Sequence, residues 1–511
     1  MSLHFLDEFF LNAFNLTVVN EDDDFFILGG SSLLLPQLVH FIWENTNIIV
    51  DIQDVFTGST LGEIKRIVSK KIAETSDGIS HVKGPSIEET KDDSIFFPLK
   101  HIWLSEMMSE RENEYNIGFM ISLSNNTDLS KLKKAIKKIL EEEDSYNLTF
   151  QFTQGEIQIE RKKIDVNIQV EEHFNESDRE TFLKKKLSTT KFDLRNGPLY
   201  KVEILIDSNT NELIIFFIMH HIVIDQYSIQ LFWKSVVDLY SSCNFEEALK
   251  NYEKSPLKDS WNQAKVSYLS SVDQKKEFWI NKFVNFDFDT QLTHPLPVAT
   301  QNLFRRSSQK ISKQDFKINS KLFDNNTIFL TAYFISLNEL FRNQESKNIV
   351  TGIPYVNRGS NSAAISQGFF VNMVPYSINA DITASIDSLN KVKKNNMEYY
   401  LHQDVPLETI LDIVPFKNFS EREHFINNVF IYEKRMKFKD SSLTYTKPYF
   451  TEFSEHSPKF PLSFYVVEKE EFFEISLDYP QEIFSIDRIN SFNEQFKINL
   501  KEICEVASNE Y

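Results

Sequence analysis

The stretch Leu213 to Ser228, LIIFFIMHHIVIDQYS, constrains the chain more than any other. Seven consecutive apolar residues, Leu213 to Met219, are rich in β-branched and aromatic side chains. That is the composition of a strand buried on both faces, and it is far too short to cross a bilayer. The strand ends on His220 and His221. Neighbouring side chains on a strand point to opposite faces, so the two histidines cannot both enter one cavity: one can be chemical while the other is structural. Asp225 follows four residues after His221, and Ser228 with Ile229, Phe232, Val236 and Tyr240 predicts an amphipathic helix beyond it.

The chain of 511 residues is long enough for two to four domains with full cores. Its net charge of −19 disfavours nucleic acid and anionic membranes as partners. Two cysteines without CxxC spacing argue against a zinc site or a disulfide framework and for a reducing cytosol. The first residues have neither a basic flank nor a long apolar core, so no signal peptide is expected. These features describe a soluble, cytoplasmic, globular protein with no metal.

Leu3, Leu6, Phe9, Phe10 and Phe14 predict a helix almost at the N-terminus. Asp22-Asp23-Asp24-Phe25-Phe26-Ile27-Leu28-Gly29-Gly30-Ser31-Ser32-Leu33 follows, and in a chain with only 12 glycines an adjacent pair marks a need for backbone freedom. A serine there can simply cap the next helix, which Leu33, Leu34, Leu38 and Phe41 outline. The segment 75–94, with Gly78 and Gly84-Pro85 and few large apolar residues, reads as an interdomain linker. Beyond it, Leu129, Leu132, Ile136 and Ile139 predict a helix with a solvated lysine face, and Gly155 separates two short strands of a hairpin.

An isolated His-His pair is more often a satisfied core feature than a reactive one. The surrounding motifs change that weighting. Met219-His220-His221-Ile222-Val223-Ile224-Asp225 resembles the HHxxxD motif of condensation domains of non-ribosomal peptide synthetases, a branch of the chloramphenicol-acetyltransferase-like superfamily. Phe192-Asp193-Leu194 with Gly197-Pro198-Leu199 resembles the FDLxxGPL run that precedes it. Gln367-Gly368-Phe369-Phe370-Val371-Asn372 resembles GxFVN, His402-Gln403-Asp404-Val405-Pro406-Leu407-Glu408 resembles HQDxPxE, and Ser457 to Leu462 is a weaker echo of the last motif. DDFFILGGSSL is similar to the DxFFxLGGxSL signature of peptidyl carrier domains, with Ser32 at the modified serine. A helix N-terminus favours the phosphodiester such a serine carries. Residues 1–74 hold four basic and eleven acidic side chains, which suits a partner with a basic face.

The resemblance implies an α+β protein: a four-helix-bundle carrier over 1–74, a linker over 75–94, and a two-lobed, pseudo-dimeric condensation domain with lobes at 95–272 and 273–511. It implies a covalent 4′-phosphopantetheine on Ser32, and an acyl or peptidyl thioester attacked by an acceptor amine at His221, the second histidine of the pair. His220 completes the motif, Asp225 anchors the loop with Arg358 as its partner, and Asn372 supports the site. An imidazole can accept the ammonium proton, align the amine or stabilise the tetrahedral intermediate, and the three roles stay open. Implied partners are a phosphopantetheinyl transferase, other synthetase modules or an adenylation domain acting in trans, and a small amine or a carrier-bound acceptor. A terminal module would release its product to a free amine. Ester formation with an alcohol uses the same histidine, and a non-catalytic recruitment module is the reading from another class. Epimerisation domains share the His-His motif, but the GxFVN and HQDxPxE matches favour condensation.

The chain also departs from the family pattern. Gln226 replaces the glycine after the aspartate. If the backbone there is left-handed, a side chain costs about 1–2 kcal/mol. Pro98 to Trp103 lacks the usual Gln and Arg, and Ser145 to Phe150 keeps little of the arginine-containing second motif.

Overall fold

The computed structural model describes residues 3–14, 16–25, 28, 38, 41–42, 45–46, 48, 50, 54–55, 58–76, 97–108, 113–153, 156–174, 179–286, 304–316, 323–341, 348–358, 361–418, 421–422, 424–434, 443–446, 451–454, 460–469 and 471–508. Ser32, its two preceding glycines, most of the expected linker and Ser457 to Lys459 lie outside them.

In the N-terminal segment the described helices are His4–Ala13, as the apolar spacing predicts, and Leu61–Ser76. Leu6, Phe10, Phe25, Leu38, Ile42, Val55, Leu61, Ile64 and Val68 are buried. Thr60 and Glu63 reciprocate hydrogen bonds as a capping box. The acidic run leading toward Ser32 is tied to the same helix start: Phe25 N–H donates to the Ser59 carbonyl at 2.9 Å, and Leu61 N–H to the Asp23 carbonyl at 2.9 Å.

The strands are β1 (Asn116–Leu123), β2 (Leu148–Thr153), β3 (Glu156–Arg161), β4 (Ile168–Phe174), β5 (Tyr200–Asp207), β6 (Leu213–His220), β7 (Phe304–Ser312), β8 (Asn348–Tyr355), β9 (Asn372–Asn379), β10 (Asn428–Lys434), β11 (Thr451–Ser454), β12 (Leu462–Glu468) and β13 (Phe472–Pro480). They form a five-stranded sheet ordered β11-β1-β6-β5-β4, a six-stranded sheet ordered β7-β13-β12-β10-β8-β9, and the β2-β3 hairpin expected around Gly155. The chain divides into two compact units. One comprises Met1–Trp261, Asn361–Phe369 and Ser441–Glu455; the other comprises Asn262–Ser360, Phe370–Asp440 and His456–Tyr511. The lobes expected at 95–272 and 273–511 are single stretches, whereas both of these units are assembled from separated ones.

In the first unit, β6 lies centrally between antiparallel β1 and β5. All eight of its residues are buried, which explains its unbroken apolar sequence. Its even-numbered residues Ile214, Phe216 and Ile218 pack with Leu183 and Leu187 of the helix Arg179–Thr189. Its Phe217 points the other way and stacks on Phe119 at 4.6 Å, with Phe232 at 5.3 Å. Each large apolar side chain buried here is worth about 1.5–3 kcal/mol, so β6 is held in register from both faces. The helix Gln226–Ser241 covers the second face, burying Ile229, Phe232, Trp233, Val236, Leu239 and Tyr240.

In the second unit, β10 runs parallel to both β12 and β8, and the rest of the sheet is antiparallel. The helix Asn325–Leu340 is buried along an unbroken run of eleven residues, Thr327 to Leu337. Tyr355 at the end of β8 pairs with Asn372 at the start of β9. Arg358 and Asn372 therefore belong to the same end of this strand pair.

Candidate functional site

The first unit places the histidine motif where β6 runs out. His220, the last residue of the strand, is 1% exposed. It lies against Tyr115, with ring centroids 6.1 Å apart, and beneath the edge of Phe192 at 6.4 Å. Its Nδ1 accepts the Ile222 N–H at 3.1 Å, so the ring proton of the neutral form resides on Nε2. That nitrogen faces Glu106 Oε2 at 3.6 Å. His220 thus caps the short 3₁₀ turn His221–Val223 from within the core.

His221 leaves the strand on that turn and is only partly buried. Its N–H donates to the Tyr115 carbonyl at 2.7 Å. Its ring Nδ1 lies 2.8 Å from the Ile224 carbonyl oxygen. A carbonyl can only accept, so Nδ1 carries the proton and Nε2 is the basic nitrogen. Adjacent histidines are therefore held in opposite tautomers: His220 with its proton on Nε2, His221 with its proton on Nδ1. Phe369 stands edge-on to the His221 ring, with centroids 5.1 Å apart and planes at 87°.

Asp225 is fully buried and caps the helix Gln226–Ser241, accepting Ser228 N–H on Oδ1 at 2.7 Å. Ser228 Oγ donates to the Gly368 carbonyl at 2.6 Å and accepts Gly368 N–H at 3.0 Å. The histidine motif and the glycine of the GxFVN-like group are thereby joined. Gly368 has a φ of 151°, a backbone region closed to side chains, which accounts for the glycine. Gln226 is the first residue of the helix and is not among the described non-glycine residues with positive φ, which are Asn113, Asn211 and Asn357. The left-handed penalty considered for Gln226 does not arise, because the helix begins there.

In the second unit, Asn372 is a clamp. Its Nδ2 donates to the carbonyls of Gln403 and Val405, each at 2.7 Å. Gln403 Oε1 accepts Asn357 N–H at 3.0 Å, and its Nε2 donates to the Tyr400 carbonyl at 2.9 Å. Asn357 has a φ of 49° and immediately precedes Arg358. The Asn372, Gln403 and Arg358 stretches, far apart in sequence, are thus stitched together through backbone groups. The loop is fixed further by an Asp404–Lys275 ion pair and by His402 stacked on Phe278 at 3.8 Å. The Arg358 guanidinium lies 4.1 Å from the centre of the Phe370 ring. Asp225 belongs to the first unit and Arg358 to the second.

Sequence reasoning missed Gln403 as an organiser, Ser228 as the partner of Gly368, and Phe369 as the neighbour of His221. Each stands inside a stretch already singled out, so the signal was present as position without a role. Among the described residues, no group of three or more His, Cys, Asp or Glu is arranged to hold a metal ion, and no helix is long and apolar enough to cross a membrane.

The condensation domain family model matches residues 98–510. The chain belongs to the condensation domain family. Gramicidin S synthase 2 of Brevibacillus brevis is 22% identical over 98% of this chain, and the chain spans 11% of that protein. Among solved structures, the condensation domain of Monacolin K polyketide synthase MokA shares the fold at a TM-score of 0.65 and 14% identity, over 82% of this chain and 97% of that one. A chain of the complex of the X-domain and OxyB from teicoplanin biosynthesis shares it at 0.62 and 16% identity, over 84% of this chain and 96% of that one. By family the condensation domain is of the acyltransferase type, a class that forms amide bonds.

Proposed function

We propose that residues 1–74 are a peptidyl carrier domain modified on Ser32, and that the condensation domain transfers a thioester-bound acyl or peptidyl group to an amine at His221. The amine nitrogen forms a bond to the thioester carbon, the carbon–sulfur bond breaks, and the thiol leaves with one proton while the amide keeps the other N–H. Because the Ile224 carbonyl holds the Nδ1 proton of His221, Nε2 can accept a hydrogen bond or a proton from the attacking amine. This fixed tautomer is the observation that carries the reading, since it gives the partly exposed histidine a defined acceptor. Holding the nucleophile in line removes part of the barrier before any proton moves. Asp225 caps the helix behind the loop, and we propose that its charge is matched by Arg358.

The carrier assignment rests on the DDFFILGGSSL signature and on the gramicidin S synthase 2 match, whose 98% coverage reaches into the N-terminal segment. Ser32 would hold 4′-phosphopantetheine through a phosphodiester on its hydroxyl, and that group supplies the thiol on which a donor is presented. Intact mass after incubation with coenzyme A and a broad-specificity phosphopantetheinyl transferase tests this. A single phosphopantetheine gain, absent in Ser32→Ala, is expected; no gain on the folded wild type would refute it. Product masses with amine and alcohol nucleophiles then separate amide from ester formation.

A second reading is a recruitment module that brings another enzyme to the carrier. Gln226 and the worn early motifs speak for it, and the intact His220, His221 and Asp225 count against it. Unchanged pathway output from His221→Ala would select it.

A further inference from the structure

We infer that Glu143 is a positioning residue for His221, acting through a buried polar clamp built from the segment where the family-like arginine motif is worn. The inference rests on the reading of His221 as the working histidine.

The segment Glu143 to Asn147 joins the helix Leu129–Glu142 to β2. Its Glu143, Ser145, Tyr146 and Asn147 side chains are all buried. Asn147 fastens the segment to its own helix through the carbonyls of Leu140 and Glu143 at 2.8 and 2.9 Å. The other three reach toward His221 from two sides. Ser145 Oγ donates to the carbonyl of Val223, the last residue of the turn that begins on His221. Glu143 accepts Ser255 Oγ–H at 2.6 Å, Ser255 N–H at 3.1 Å and the Tyr252 hydroxyl. Ser255 Oγ in turn accepts the Gln367 N–H at 3.0 Å, and Tyr146 OH donates to Gln367 Oε1 at 2.7 Å. Gln367 stands two residues before Phe369, whose ring meets the His221 ring edge-on. Gly368 between them is held by Ser228.

One short segment therefore sets both the turn that carries His221 and the ring that bounds it. Packing alone does not call for a carboxylate here. Glu143 is 1% exposed and its hydrogen-bond donors are all neutral, so desolvation works against its charge and raises its ionisation above the ordinary glutamate value of 4.5. An apolar residue would fill the space at less cost but could not accept three donors from the 252–255 stretch.

The test is ¹⁵N-histidine labelling of the full chain, with the His221 imidazole signals identified by their loss in His221→Ala. Glu143→Gln removes one acceptor from the clamp, and Tyr146→Phe removes one hydroxyl. Both are expected to shift or broaden the His221 signals while leaving those of His424, in the second unit, in place. Where loaded donors turn over, kcat is expected to fall about 10- to 100-fold with KM changed less than about twofold. A purely structural role would lower the melting temperature and leave the His221 signals unmoved, and that result in folded variants overturns the proposal. If Glu143→Gln does not fold, Tyr146→Phe decides alone. The spectra do not depend on turnover, so a chain that condenses no donor removes the functional reading without affecting this test.

Discussion

Replacing Asn372 exposes how the second unit is held. The Asn372 side chain is 6% exposed and donates both Nδ2 protons to backbone carbonyls, Gln403 O and Val405 O, each at 2.7 Å. Asn372→Ala removes both bonds and leaves two carbonyls inside the protein. At about 1–3 kcal/mol for each buried group left unpaired, with some relief from local relaxation, the cost is roughly 2–4 kcal/mol. Asn372→Asp keeps the shape but sets carboxylate oxygens against two carbonyl oxygens. At neutral pH it is therefore expected to be less stable than Ala, and to recover as acid returns one O–H donor. Four of the five tryptophans lie in the first unit, and Trp279 lies in the second, packed 5.6 Å from Tyr399. Fluorotryptophan labelling thus gives the second unit its own ¹⁹F signal in a urea titration. With a urea slope of about 1–3 kcal/mol per molar, the Trp279 midpoint should fall by about 1 M or more in Asn372→Ala. An unchanged midpoint in Ala, or wild-type stability of Asp at neutral pH, would refute the clamp.

Two further outcomes follow from the histidine loop. Asp225→Asn keeps an oxygen for the Ser228 N–H, whereas Asp225→Ala does not. In thermal melts Ala should be less stable than Asn by about 1–2 kcal/mol, and equal stabilities would remove the cap. Gln226→Gly should lower stability by about 0.5–1 kcal/mol, because the position is helical. A rise in stability would mean that the backbone there is strained after all.

The buried strand, the helix after it, the first helix and the hairpin were legible because periodicity and apolar runs report burial directly. The split between the two histidines was legible as an outcome, but not by the alternation expected of a longer strand: β6 ends at His220, which enters the core beside Tyr115, and His221 opens the 3₁₀ turn that follows. Their opposite tautomers were not, because they depend on which backbone groups fold back onto each ring. The clamp from Glu143 to Asn147 was invisible for a related reason. Its partners Ser255 and Gln367 lie more than a hundred residues away, and a worn motif offers no pattern to read. Asn372 was recognised as support, but its action on the 403–405 backbone needed the pairing of β8 with β9. The backbone cost that Gln226 would carry in a left-handed conformation was not decidable from the sequence, because whether a position is left-handed is decided by where the helix starts.

The most direct measurement of the central claim is single-turnover amide formation with the donor loaded on the carrier, comparing wild type with His221→Ala at equal loading. The account predicts an amide product from wild type and a rate about 100-fold or more lower in the variant. Equal rates in the two proteins, both folded, would contradict it.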